Sequence, residues 1–149
     1  LNLLAQRVLS SSLYIEKKKI VSINRGILAL VGFEKDDTSS DCELIADKLL
    51  NYRIFPDDRG RMENSVLDIK GDLLLVPEVT LALQTMKGSR PSFSEAASFD
   101  LGKNLFDELS IKIRKIHGKL EVGTFGADME IKLTNDGPVT FLFKSAGSS

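Results

Sequence analysis

Apolar positions recur along this chain with two different periods. Leu3 to Ile15 reads as a strand, with Ser10 to Ser12 as its weak point or bulge. Lys17-Lys18-Lys19 predicts a charged hairpin turn, after which Ile20 to Ile23 returns. That lysine run fits a solvated turn or an RNA contact. Asn24-Arg25-Gly26 marks a second turn. Ile27 to Phe33 is continuously apolar, as expected of a strand covered on both faces. The period then lengthens. Thr38-Ser39-Ser40-Asp41 has the hydroxyl-then-acid spacing of a capped helix start, and Cys42, Ile45, Ala46, Leu49 and Leu50 follow at helical spacing. Arg53-Ile54-Phe55 reads as a short strand and Pro56 to Gly60 as a turn. Leu73 to Leu83 is strand-like, but Pro77 lacks a ladder donor and points to an edge or a bulge.

Gln84 to Ser94 reads as a polar loop. A second helix is expected from about Leu101 to Ile116, with Leu105, Leu109, Ile113 and Ile116 as its stripe and Gly118 ending it. Two alternating strands close the chain, carrying Met129, Ile131 and Leu133, then Val139, Phe141 and Phe143, with Asn135-Asp136-Gly137-Pro138 as the turn between them. The pattern predicts an α+β single domain with a mainly antiparallel, barrel-like sheet and two helices. Residues 1–145 form the expected domain and 146–149 a flexible tail.

Composition narrows the classes. With 149 residues, 42% hydrophobic and 28% charged, the chain suits one globular domain that buries about 70% of its unfolded surface without a staple. Gln6 and Arg7 interrupt the apolar start, so no signal peptide is expected, and no run reaches the ~18 apolar residues of a membrane helix. The expectation is a cytoplasmic protein with no membrane association. A formal net charge of −1 rules against a general nucleic-acid coat, so any RNA contact should be local.

Several chemistries lack their residues. His117, the single histidine, reads as a helix C-terminal cap. Cys42, the single cysteine, lies on an apolar stripe and reads as core. Asp57 and Asp58 sit in a Pro-x-x-x-Gly turn. No Gly-rich phosphate loop or nucleophile elbow is present, and the ligands of a zinc site are missing. Any catalysis must therefore rest on backbone geometry or on the substrate's own groups.

Five segments, in order along the chain, resemble the D-aminoacyl-tRNA deacylase (D-tyrosyl-tRNA(Tyr) deacylase) family. They are Gln6-Arg7-Val8, Ala46 to Phe55, Leu81 to Phe93 with its Lys87-Gly88-Ser89-Arg90-Pro91-Ser92-Phe93 loop, Gly123 to Met129, and Asn135 to Thr140. The resemblance implies a homodimer without metal or organic cofactor. It implies hydrolysis of the ester joining a D-amino acid or glycine to the 3′ end of tRNA. It also implies a cis Gly137-Pro138 pair that reaches into the partner subunit's pocket, with catalysis assisted by the terminal 2′-hydroxyl of the tRNA. Thr80 is the implied catalytic position, its hydroxyl orienting and not attacking. Glu78, Val79, Phe125, Met129 and Arg7 are the implied substrate-binding positions beside Gly137 and Pro138.

One segment departs from the family pattern. Where the family usually has Ser-Gln-x-Thr, this chain has Pro77-Glu78-Val79-Thr80, and only Thr80 matches. A related animal deacylase acting on L-alanine mischarged on tRNA also has proline at the first position. Two alternatives stay open: L-aminoacyl-tRNA deacylation, and a non-catalytic tRNA-end binding module. Taken alone, the residues also allow plainer roles. Thr80 fits a strand, Phe125 and Met129 fit a core, Arg7 fits a surface ion pair, and Gly137-Pro138 fits a hairpin turn.

Overall fold

A computed structural model describes residues 1–145. The tail expected at 146–149 lies outside the described residues. The long strand β1 (Asn2–Ile15) organises the sheet. Along one edge it pairs antiparallel with β8 (Glu130–Lys144). Its other edge pairs antiparallel with β3 (Gly26–Gly32) through Asn2 to Val8, then with β2 (Lys18–Ile23) through Ser11 to Ile15. β6 (Asp72–Pro77) continues the sheet parallel to β3, and β7 (Leu120–Val122) lies parallel to β6. β2 comes back against β6 and β7, which curls the sheet toward a barrel. A small hairpin, β4 (Phe55–Pro56) and β5 (Met62–Asn64), stands apart. The single domain is thus a mixed, nearly closed barrel-like sheet with two helices, and most of its strand pairs are antiparallel.

Alternation explains the continuous apolar runs. Ile27, Ala29 and Val31 of β3, with Leu73 and Leu75 of β6, face α1 (Ser39–Asn51) and α2 (Phe99–Ile116) in the larger core. Leu28 and Leu74 face the other way, into a smaller core with Val8, Leu13, Ile23 and Val76. Both faces are covered, so the strands are apolar from Ile27 to Val31 and from Leu73 to Val76. α1 starts where its sequence says: the Thr38 N–H donates to Asp41 Oδ2 at 2.8 Å. Burying Cys42, Ile45, Ala46, Leu49 and Leu50 fixes its inner face. α2 is capped by Ser98, whose Oγ accepts from the Leu101 N–H at 3.2 Å, two residues earlier than the stripe suggested. No helix among the described residues is long and apolar enough to cross a membrane.

Five expectations are corrected. The two closing strands are one, β8, and Asn135 to Pro138 is not a hairpin turn. Register passes from Gln6↔Thr140 to Val8↔Asn135, so residues 136–139 bulge opposite Arg7 alone. The Asn135 side chain bridges that excursion: its amide donates to the Arg7 and Val139 carbonyls, and its oxygen accepts from the Val139 N–H. The bulge of β1 itself falls at Leu9, between Val8↔Asn135 and Ser10↔Thr134, one residue before the serines, which stay paired to Thr134, Leu133 and Lys132. Pro77 is neither an edge nor a bulge. It is the last residue of an interior strand, where the missing donor breaks nothing, and a 3-10 helix, Val79–Ala82, follows. The first strand of the small hairpin is Phe55–Pro56 and not Arg53 to Phe55. The buried stripe of α2 stops at Ile113: Ile116 is exposed, and His117 takes the next buried position. His117 closes the helix through its backbone N–H, but its ring also holds the Gly71 carbonyl at 2.6 Å.

Candidate functional site

A cleft of about 340 Å³ opens at the carboxyl ends of the parallel strands β3 and β6, the end where sheets of this kind place ligands. One wall is the chain leaving β6, Pro77-Glu78-Val79. It crosses close over β3 because residue 32 is glycine: a Cβ there would stand 2.8 Å from the Glu78 carbonyl oxygen and 2.9 Å from the Leu81 Cβ. The Glu78 N–H continues the ladder by donating to the Val31 carbonyl at 2.7 Å. The facing wall is aromatic. Phe99, in the first turn of α2, meets Phe125 edge to face at 5.1 Å between ring centres. Phe125 seats against the bare backbone of Gly102, where a Cβ would come within 2.9 Å of its ring.

Polar groups in the cleft are few. The Thr80 hydroxyl donates to Glu78 Oε1 at 2.9 Å, tying the two side chains together. Ser98 lines the cleft, but its oxygen is committed to capping α2. Among the described residues, the N–H groups of Val79 and Thr80 make no backbone hydrogen bond, as expected at the first turn of a helix. The cleft is therefore an apolar slot with one carboxylate, one hydroxyl beside it and backbone donors. No histidine or cysteine faces it. His117 is held by Gly71, and Cys42 is fully buried with its thiol pushed up to about 12, by burial first and then by the charges of Glu108 and Asp37. Among the described residues, no group of three or more His, Cys, Asp or Glu side chains is placed to hold a metal ion.

The residues singled out in the sequence fall into two sets. Glu78, Val79 and Phe125 line the cleft, and Thr80 stands beside it. Met129 lies behind, packed on the smaller core near Pro77 and Gly123. Arg7, Gly137 and Pro138 are elsewhere. β1 meets the cleft end of β3 at Asn2↔Gly32, whereas Arg7 pairs with Ile27, roughly 16 Å further along the strand at ~3.3 Å per residue. There Gly137 and Pro138 are exposed, joined by a cis peptide, with Gly137 at φ +133°. Arg7 holds the segment from beneath. Its Nε lies 3.1 Å from the Asp136 carbonyl and 3.2 Å from the Asp136 carboxylate, and one terminal nitrogen donates to the Ile54 carbonyl at 2.7 Å. Arg7 thus makes an ion pair with the Asp136 side chain and also holds the backbone of that segment.

Sequence reasoning missed Phe99, Gly102 and Gly32. Phe99 carried a signal: an apolar residue directly after the cap serine and off the α2 stripe has no core to enter. The glycines carried none, because their role is only the close approach of another segment.

Comparison with known proteins follows the same outline. The family model described as D-Tyr-tRNA(Tyr) deacylase matches residues 4–144. A D-aminoacyl-tRNA deacylase of Francisella tularensis subsp. tularensis is 48% identical over 139 residues, 93% of this chain and 96% of the relative. One from Teredinibacter turnerae is 48% identical over 145 residues, 97% and 100% of the two chains. Among solved structures, a c-Myc DNA unwinding element binding protein superposes with a TM-score of 0.95 at 31% identity, covering 99% of this chain and 100% of the other. A probable eukaryotic D-amino acid tRNA deacylase shares the fold, with a TM-score of 0.85 at 20% identity over 95% of this chain and 97% of that one.

Proposed function

The chain belongs to the D-Tyr-tRNA(Tyr) deacylase family, and from that premise we propose how it works. It is a hydrolase that cleaves the ester of D-aminoacyl-tRNA, with tRNA as its partner. In our reading the aminoacylated terminal adenosine enters the cleft, with its base along Phe125 and Phe99 and its ester beside the Val79–Thr80 turn. Backbone N–H groups there would polarise the ester carbonyl, a contribution that grows as negative charge develops on that oxygen. Thr80 acts as a positioning residue through Glu78. Met129 supports the pocket from behind.

Among the described residues no side chain supplies an activated nucleophile, so in this reading the substrate's 2′-hydroxyl carries that part. It already sits beside the ester at high effective concentration. Chirality is set by Gly137-Pro138 from a second copy of the chain. The observation that supports this reading is the separation just described: an exposed segment clamped by Arg7, about 16 Å along the strand from its own cleft. Two copies related by a two-fold axis would each lend the segment to the other's cleft. The carbonyls of Gly137 and Pro138 would receive the α-ammonium group. A D side chain would then point outward and an L side chain would strike the backbone, while glycine would have nothing to strike.

Two measurements test this. Light scattering at micromolar concentration should give twice the chain mass, and an active monomer would overturn the shared site. A D-tyrosyl-tRNA ending in 2′-deoxyadenosine, charged at its remaining hydroxyl, should be a very poor substrate. Normal turnover of that ester would return the search to a nucleophile on the protein.

A further inference from the structure

A second groove, of about 430 Å³, runs along α2 and shares Phe125 with the cleft. Its sides are α2 from Lys103 to Arg114 and the segment Val122 to Thr124 at the end of β7. Lys103 and Arg114 are 11 residues apart on the helix, about 16 Å at 1.5 Å per residue. That length suits a few nucleotides of stacked single strand at ~3.4 Å each. The floor is apolar, with Phe106 beneath and Ile111 more than half exposed at the side. The charge is mixed. Lys103 Nζ is held by Asp107 at 3.0 Å, and both side chains are about half exposed. Among the described residues Arg114 makes only a long contact, 3.5 Å, to the Leu120 carbonyl.

A tRNA end seated in the cleft must leave it as a chain of phosphates. The groove begins where the cleft ends, on the other side of the same phenylalanine, and carries two cations against one carboxylate. We propose that this groove holds the single-stranded tRNA immediately 5′ of the terminal adenosine, with Lys103 and Arg114 meeting its phosphates and Asp107 limiting the grip. This rests on the reading that the cleft takes the aminoacylated adenosine. The groove supplies affinity for the polymer and leaves the ester chemistry untouched. Asp107 keeps that affinity low enough for the product tRNA to leave.

The test compares D-tyrosyl-tRNA(Tyr) with the minimal ester D-tyrosyl-adenosine, which has no phosphate 5′ of its nucleoside. Lys103→Ala and Arg114→Gln should each raise KM for the tRNA by roughly 2- to 5-fold, the range of a partly exposed ion pair. Both should leave kcat, and all turnover of D-tyrosyl-adenosine, unchanged. Each should also lower the slope of log Kd against log salt for the tRNA by about 0.7, the loss of one single-strand phosphate contact. Asp107→Asn should do the opposite and lower KM for the tRNA, a gain that misfolding cannot produce. Unchanged KM for the tRNA in all three variants would overturn the proposal, as would equal losses on both esters. Wild-type hydrolysis of the tRNA with no groove effect would remove the groove alone. Wild-type inactivity on both esters would remove the cleft reading and the groove with it.

Discussion

Replacing Arg7 by alanine is the most informative perturbation, because one side chain joins buried Ile54, just before the small hairpin, to the exposed Gly137-Pro138 segment. The side chain is about one-tenth exposed, and its guanidinium makes contacts of 2.7, 3.1 and 3.2 Å. Alanine leaves the carbonyl of the buried Ile54 without its donor, which costs roughly 1–3 kcal/mol. The Asp136 carboxylate is about one-third exposed and regains water, so its loss adds on the order of 1 kcal/mol. The total is about 3 kcal/mol, at the lower edge of the range for breaking a buried charged pair. Urea denaturation should show that loss as a lower midpoint with unchanged slope. Arg7→Lys should recover only part of it, since one ammonium cannot reproduce the planar fork that meets two carbonyls and a carboxylate. Released residues 136–139 would then discriminate less sharply. The ratio of D- to L-tyrosyl-tRNA hydrolysis should fall by about tenfold, equivalent to ~1.4 kcal/mol of discrimination. A stability change within about 0.5 kcal/mol, together with an unchanged D/L ratio, would refute the claim that Arg7 steadies the motif.

The remaining predictions concern the cleft and the core. Thr80→Ala should lower kcat/KM by about 10- to 100-fold, the effect of one lost orienting hydrogen bond, and a trapped aminoacyl ester on Thr80 would show instead that it attacks. Glu78→Gln should preserve or raise activity, because its amide oxygen can still accept from Thr80 while the repulsion of a polyanionic RNA end is removed; a fall of more than about 100-fold would assign Glu78 a proton-transfer role. Cys42 should resist alkylation at pH 8 until the protein unfolds, as expected of a thiol pushed up to about 12. Its folded value lies above the ordinary thiol value of 9.0, so its contribution is complete below about 9 and is lost as pH rises from there toward about 12. Rapid alkylation of the folded protein would contradict this.

Where local pattern and global packing agree, the sequence was legible. The apolar run of β3, the capping box at Thr38 and the buried stripe from Leu105 to Ile113 all describe segments whose neighbours demand the same thing. Legibility failed where a distant partner overrides local chemistry. Asn135 to Pro138 has turn composition, yet β1 pairs on both sides of it and the Asn135 side chain spans the gap, so the strand continues. Pro77 would disrupt a strand interior but is harmless at the end of one. Within the candidate site, the cleft residues Glu78, Val79 and Phe125 were reached through resemblance, not through spacing. That Arg7, Gly137 and Pro138 lie away from their own cleft is a matter of strand register across more than 120 residues of sequence, which no local pattern encodes.

The central claim is that the cleft hydrolyses tRNA esters and rejects L-amino acids by backbone geometry. The most direct measurement is ester loss from D-tyrosyl-, L-tyrosyl- and glycyl-tRNA presented to the same preparation at the same concentration. The D-tyrosyl and glycyl esters should be lost with the L-tyrosyl ester left intact. Equal or preferential loss of the L-ester would contradict it, as would binding of all three without hydrolysis.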